Sequence, residues 1–385
     1  MTGRGPLDGL RVVDFTHVLA GPACAYMLGL LGAEVVKVEG PDGEAMRWRG
    51  GTDSDAAAAG RSTAWLAQAG GKRSVVLDLQ TEAGSEAMHR LLDRADVLVE
   101  NHLPATLRRL GLDDLTTRYP RLIHCAMTGY GRGGALEDAP AYDVNIQAAC
   151  GMMSVTGTSA SGPLRAGAPV IDYGAAMAAG FAICAALVER ARTGSGTFVD
   201  VSMLETGLTM MASQVADMTA TGQVPGPRGN AANSRSPAAG TFPCRTGHLS
   251  LGVNEEHQFH ALAQTLGREE WLDDPRFADR AARAAHAEAM EAALIDALAP
   301  RDAIDWERSF RAAGVPAARL QTLDAALDMP QIAARGFLAP MGDASVPTLP
   351  FRIGGHTAVP STGPRPLGAD TDDVLAELGL PDAKS

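Results

Sequence analysis

Residues 12–40 read VVDFTHVLAGPACAYMLGLLGAEVVKVEG. Val12, Val13 and Phe15 form a short apolar run of buried-strand type. Gly21-Pro22 break that run, and proline suits the first turn of a helix, where its missing N–H has no helical partner to lose. Cys24, Met27, Leu28 and Leu31 recur at i, i+3, i+4 and i+7, which is one helix face. Gly32 stands where that helix should stop, and Glu34 to Glu39 predicts a second strand. This is the outline of a nucleotide-binding βαβ unit. The dinucleotide fingerprint, however, needs G-x-G-x-x-G in the turn, so that backbone can approach a pyrophosphate at the helix N-terminus. Here the turn is A-G-P-A-C-A, with one glycine followed by a residue that lacks an amide proton. The acidic Glu39 does not replace the missing glycines, so the unit argues against a nicotinamide dinucleotide.

The same alternation continues outward. Strand patterns recur at 74–79, 96–99, 122–127 and 197–201, with helical patterns at 82–94 and 173–192 between them. Gly194 and Gly196 follow the second helix, as a helix stop should look. Alternating strands and helices predict a mostly parallel sheet covered by helices. Composition changes at VPGPRGNAANSRSPAAG (224–240), a linker or long loop. Residues 241–325 read as a smaller α+β unit, with a strand in HLSLGV and helices near 255–267, 278–298 and 301–314. The expected organisation is therefore a large domain from 1–223 and 326–385, a linker at 224–240 and a small domain at 241–325.

A length of 385 residues allows two such domains. The net charge of -12 argues against a general nucleic-acid or anionic-membrane binder, which wants a basic surface. It leaves room for an anionic small ligand held by a local basic cluster. Five cysteines lie far apart with no CxxC, as expected of buried free thiols in a reducing cytoplasm. The opening MTGRGPLDGL lacks the apolar run of a secretory signal. The apolar run 173–188 is too short to span a bilayer and reads as a buried helix.

Candidate chemistry lies in the glycine-rich stretches. GAPVIDYGAA places Asp172 at the start of the long helix, where aspartate is a favoured N-cap. The same position favours an ionised carboxylate, and an ionised carboxylate can be a covalent nucleophile. APAYDVNIQAACG sets Tyr142 and Asp143 before another helix, again with capping as the ordinary role of the aspartate. His257 and His260 are spaced i, i+3 without a convincing third ligand, so no metal is expected. No G-x-S-x-G or Walker motif occurs. Several of Arg47, Arg49, Lys72, Arg73, Arg108, Arg109 and Arg132 follow strand or loop ends, where an open α/β sheet places its ligand, and together they suit phosphates.

PLDGLRVVDFTHVLAGPACAYMLGLLGAEVVKVE, GGKRSVVLDL, VLVEN, TGYGRGG, APAYDV, VIDYGAA, TGSGTFVDVSMLET, LDDPRF and PLGADTDDVLAELGL, in that order, resemble the class III (CaiB/BaiF-type) CoA-transferases. That superfamily includes the formyl-CoA and carnitine CoA-transferases and the alpha-methylacyl-CoA racemases. The resemblance implies a Rossmann-like large domain built from both chain ends, a small α+β domain, and two chains interlocked as a homodimer. It implies coenzyme A, as substrate rather than as a tightly bound cofactor, with an acyl-CoA donor and a carboxylic acid acceptor. Asp172 matches the family's catalytic aspartate. Val18, Arg47, Lys72, Arg73, Asn101 and Arg109 match positions along the CoA site, with Tyr142 near the thioester.

The racemases are similar to this chain but carry histidine where Tyr142 stands. Tyrosine side chains ordinarily titrate near ~10, too high for a general base at neutral pH. The resemblance thus implies acyl transfer through covalent aspartyl intermediates, with racemisation as the alternative. Formyl-CoA transferases have glutamine where Leu19 stands and a glycine run where this chain has SRSPAAGTF, which points to an acyl group larger or less polar than oxalate.

Overall fold

The computed structural model describes residues 5–232, 234–356 and 358–381. The chain divides into two compact units, one of Met1–Ser154, Arg165–Pro225 and Gln331–Ser385, the other of Val155–Leu164 and Gly226–Pro330.

The first unit is built on strands β1 (Arg11–Phe15), β2 (Glu34–Glu39), β3 (Lys72–Val76), β4 (Val97–Glu100), β5 (Ile123–Thr128) and β6 (Phe198–Ser202). They form one sheet in the order β3-β2-β1-β4-β5-β6, and every neighbouring pair is parallel. This is the Rossmann order, whose ligand crevice lies where the connections diverge, outside the carboxyl ends of β1 and β4. β4 and β5 are buried along their whole length, as expected of a parallel sheet covered on both faces. On one face Val13, Val36, Val75 and Leu98 pack with Leu91, Leu107 and Leu122. The C-terminal helix Thr371–Glu377 joins that core through Val374 and Leu378's neighbour Leu375. Ser74 N–H donates to Asp370 Oδ2 at 2.8 Å and Asp370 N–H to the Ser74 carbonyl at 2.9 Å, so the C-terminal segment is tied to β3.

β3 begins two residues before the expected 74–79, because Lys72 and Arg73 pair in register with Val35 and Val36. Helix α1 (Ala20–Leu30) also differs from its one-sided expectation. Cys24, Tyr26, Leu28 and Leu30 are all buried, together with its small residues. Gly21 permits this: a Cβ there would lie 2.5 Å from Thr16 Cγ2. Gly32 follows the helix at φ 104°, a backbone that favours glycine.

Helices α2 (Asp143–Ala149) and α3 (Val170–Thr193) flank the ligand end of the sheet. α3 is longer than the sequence suggested, and by length and apolar composition alone it could cross a membrane. In the fold it packs against α1, with Ala175, Ala176, Ala179 and Ile183 fully buried. The expected burial holds on one face only. Met177, Phe181 and Val188 form an apolar outer face, with Phe181 81% exposed.

The second unit carries an antiparallel sheet of Ala239–Pro243, His248–Gly252 and Ala317–Arg319. Phe259, Trp271, Phe277, Leu294, Trp306 and Phe310 fill its core. The stretch expected as a linker (224–240) belongs mostly to this unit and supplies the start of its first strand. Residues 155–164 also belong here, as the hairpin of Gly157–Thr158 with Gly162–Pro163, tied by the Gly229 N–H to the Gly157 carbonyl at 2.7 Å. The expected helix 278–298 is two, Arg280–Ala285 and Ala287–Leu298, broken where His286 leaves helical geometry.

Candidate active site

A cavity of about 290 Å3 opens at the carboxyl ends of β1, β4 and β5, in the crevice the strand order predicts. His17–Ala20 form one wall, Asn101–Leu103 and Met127–Gly129 others, and Ala139–Tyr142, Asp172 and Met203 close it. Of the site residues expected from sequence, Val18, Asn101, Tyr142 and Asp172 meet here.

Asp172 is the third residue of α3, not its N-cap; Pro169 holds that position without a side-chain cap. The cap comes from α2. Asp143 Oδ2 accepts from the amides of Ile171 (2.8 Å) and Asp172 (3.2 Å), and its Oδ1 accepts from Gln147 Nε2. Asp143 thus caps the neighbouring helix rather than its own. The helix terminus was expected to keep Asp172 ionised, but burial and the adjacent Asp143 charge push its pKa up to about 7. Asp143→Asn keeps an oxygen for both amides and removes the like charge. The acid limb of kcat/KM should then move to lower pH in a pH–rate profile; an unmoved limb would separate Asp143 from the titration of Asp172.

Two residues that sequence reading passed over share the cavity. The His102 ring packs at a tilt against Phe15 with centroids 4.2 Å apart and lies 5.1 Å from the His17 ring. Burial, with His17 and Lys37 nearby, lowers the His102 pKa to about 4. Partial burial and the Lys37 charge also lower that of His17. Both imidazoles are therefore neutral at pH 7. Their sequence signal was position: each follows the carboxyl end of a strand.

The turn after β1 is held by side chains. Asn101 Oδ1 accepts from the His17 amide and Asn101 Nδ2 donates to the His17 carbonyl, both at 2.8 Å. The Val18 amide donates to Glu44 Oε1 (3.0 Å), and Gln68 Nε2 donates to the Val18 carbonyl (2.7 Å). Val18 has φ 67°, a left-handed conformation rare for a β-branched residue. Such backbone costs a non-glycine residue roughly 1–2 kcal/mol. A hydrogen bond returns about 0.5–1.5 kcal/mol, so four of them outweigh the strain.

The basic residues do not assemble into one phosphate cluster. Arg47 is 2% exposed, makes two 2.6 Å bonds to Glu39 and lies 4.1 Å over the Trp65 ring. Lys72 is buried, 2.7 Å from both Asp14 Oδ2 and the Pro22 carbonyl. Arg73 pairs with Glu34 and Glu377, Arg108 with Asp138, and Arg132 with Glu100. None of these five lines the cavity. Arg109 is exposed on the helix Pro104–Leu110, one turn beyond the cavity residue Thr106. His257 and His260 are exposed on their helix, and no cluster of potential metal ligands occurs among the described residues.

A family model described as CoA-transferase family III matches residues 7–371. The acetyl-CoA:oxalate CoA-transferase of Acetobacter aceti is 35% identical, over 92% of this chain and 90% of its own length. The succinate–glutarate CoA-transferase of Agrobacterium fabrum is 33% identical, over 97% of this chain and 96% of its own. A crystal structure of a CAIB/BAIF family protein from Brucella suis superposes with a TM-score of 0.86 at 31% identity, covering 98% of this chain and all of that one.

Proposed function

This chain belongs to CoA-transferase family III, and we propose that it moves CoA from an acyl-CoA thioester to a carboxylic acid with Asp172 as nucleophile. The observation that carries this reading is the Asp172 carboxylate itself, on the wall of the crevice cavity with a pKa of about 7. A substantial fraction is ionised at neutral pH, and the raised pKa makes the carboxylate a stronger nucleophile than an ordinary one.

Asp172 Oδ attacks the donor carbonyl carbon, the C–S bond breaks, and CoA leaves as thiolate from a mixed anhydride. The thiolate attacks the aspartyl carbonyl carbon, expelling the donor acid and forming an aspartyl-CoA thioester. The acceptor carboxylate then attacks that carbon and releases the thiolate. Thiolate attack on the acceptor's acyl carbon yields the new acyl-CoA and frees Asp172. Val18, Asn101 and Tyr142 border this chemistry, and Arg109 suits a CoA phosphate beyond it. No tightly bound cofactor is needed. Incubating the protein with acyl-CoA donors and paired carboxylic acids should produce the acceptor's CoA ester by mass spectrometry; a wide panel with no exchange would refute the reading.

One observation favours a second reading, an acyl-CoA racemase. A carboxylate near pKa 7 also suits a general base, and the neutral His17 and His102 share its cavity. Solvent deuterium entering the α-carbon of a 2-methylacyl-CoA would support it.

The proposed assembly is an interlocked homodimer, with a second copy covering the Met177, Phe181 and Val188 face of α3. The five cysteines, free in the structure, suit a reducing cytoplasm. Interlocked chains should dissociate only as they unfold. A folded monomer at low concentration in analytical ultracentrifugation would contradict the assembly.

A further inference from the structure

We propose that Glu44, Gln68 and Asn101 are positioning residues that hold Val18 in its left-handed turn and so fix the wall of the cavity facing Asp172. The proposal rests on the transferase reading above for its activity measurement. Together these three side chains bind every backbone polar group of His17 and Val18. The two held residues and the two that follow, Leu19 and Ala20, all line the cavity.

The clamp is itself anchored. Glu44 and Gln68 are buried, at 6% and 2% exposure. The Glu44 amide donates to Glu39 Oε2 at 3.0 Å, and the same carboxylate holds Arg47. Arg47 in turn lies over Trp65, on the helix Thr63–Ala69 that carries Gln68. One buried ion pair thus supports both jaws. Arg47, expected from the resemblance to lie along the CoA site, stands in this structure behind the turn rather than in the cavity. A β-branched residue released from such bonds leaves the left-handed region, and Leu19 and Ala20 would move with it. Displacements of about 1 Å near a reacting centre cost on the order of 100-fold in rate.

The test is a double-mutant cycle. Gln68→Met should lower kcat/KM on the order of 10- to 100-fold. Val18→Gly should recover most of that loss in the Gln68→Met background, because glycine holds a positive φ unaided. Losses that simply multiply, or a Gln68→Met enzyme at wild-type kcat/KM, would overturn the proposal. If Gln68→Met does not fold, Glu44→Leu replaces it in the cycle, while Glu44→Gln, which keeps an acceptor for the Val18 amide, should stay near wild type. A wild type that transfers nothing refutes the transferase reading alone. The clamp is then decided by melting temperature: Val18→Gly should raise that of the wild type more than that of Gln68→Met, and equal rises would overturn it.

Discussion

Asp172→Ala is expected to bind CoA yet lose transfer by roughly 10^3-fold or more, because the covalent route has no other nucleophile. Asp172→Asn keeps the shape and removes the charge, so it should be as inactive. Stability separates this from misfolding. The folded pKa of about 7 lies above the reference value of 3.8, so the folded state holds the proton more tightly than the unfolded chain. Ionising Asp172 therefore costs stability. The cost is absent below pH 3.8, grows as pH rises toward about 7, and is constant above it. Asp172→Asn should be at least as stable as the wild type, by a margin that widens from pH 4 to pH 7. A loss of activity with a lowered melting temperature at pH 8 would point instead to a structural role.

Asp14→Ala is expected to destabilise the protein by roughly 3–5 kcal/mol, the cost of stranding buried charge. Asp14 is fully buried in β1, with Lys72 Nζ at 2.7 Å, Lys37 Nζ at 3.2 Å and the Thr16 hydroxyl at 2.5 Å. Burial alone would raise its pKa, but the two ammonium groups win and hold it at about 2. Its own contribution is present above the reference 3.8 and lost as pH falls through about 2, while burial already lowers the Lys72 pKa, so a lysine stranded by the variant loses its proton more readily and the penalty should ease as pH rises. Lys72→Met should cost less, since it leaves one lysine to one aspartate where Asp14→Ala leaves two lysines alone. Thermal melts of both variants check this order. The resemblance implied Lys72 along the CoA site; in the structure it is enclosed between Asp14 and the Pro22 carbonyl, beneath the first crossover.

The sheet was legible because parallel strands buried on both faces leave apolar runs, as in VVDF and DVLVE, and the glycines between them mark turns. What periodicity could not show was charge inside that core. Lys37 read as the polar member of an apolar strand and Lys72 as a basic residue before one, and only the fold brings Asp14 between them. Asp172 was legible as a reactive position at a helix start, but not its protonation. That depends on burial first and then on Asp143, 29 residues earlier in sequence, whose carboxylate reaches the same helix terminus. The grip on Val18 was hidden for the same reason. Glu44, Gln68 and Asn101 come from three separate segments and have no shared spacing. His17 and His102 lay within or beside recognised motifs, yet nothing local marks a histidine as facing a cavity.

Covalent catalysis at Asp172 is tested most directly by incubating the protein with acyl-CoA alone, since the first half-reaction needs no acceptor. Hydroxylamine added to that mixture should convert the aspartyl adduct to a hydroxamate, and peptide mass spectrometry should find the tag on Asp172 and not in Asp172→Ala. An untagged Asp172, with rapid uptake of solvent deuterium at the α-carbon of a 2-methylacyl-CoA, would contradict the transferase mechanism.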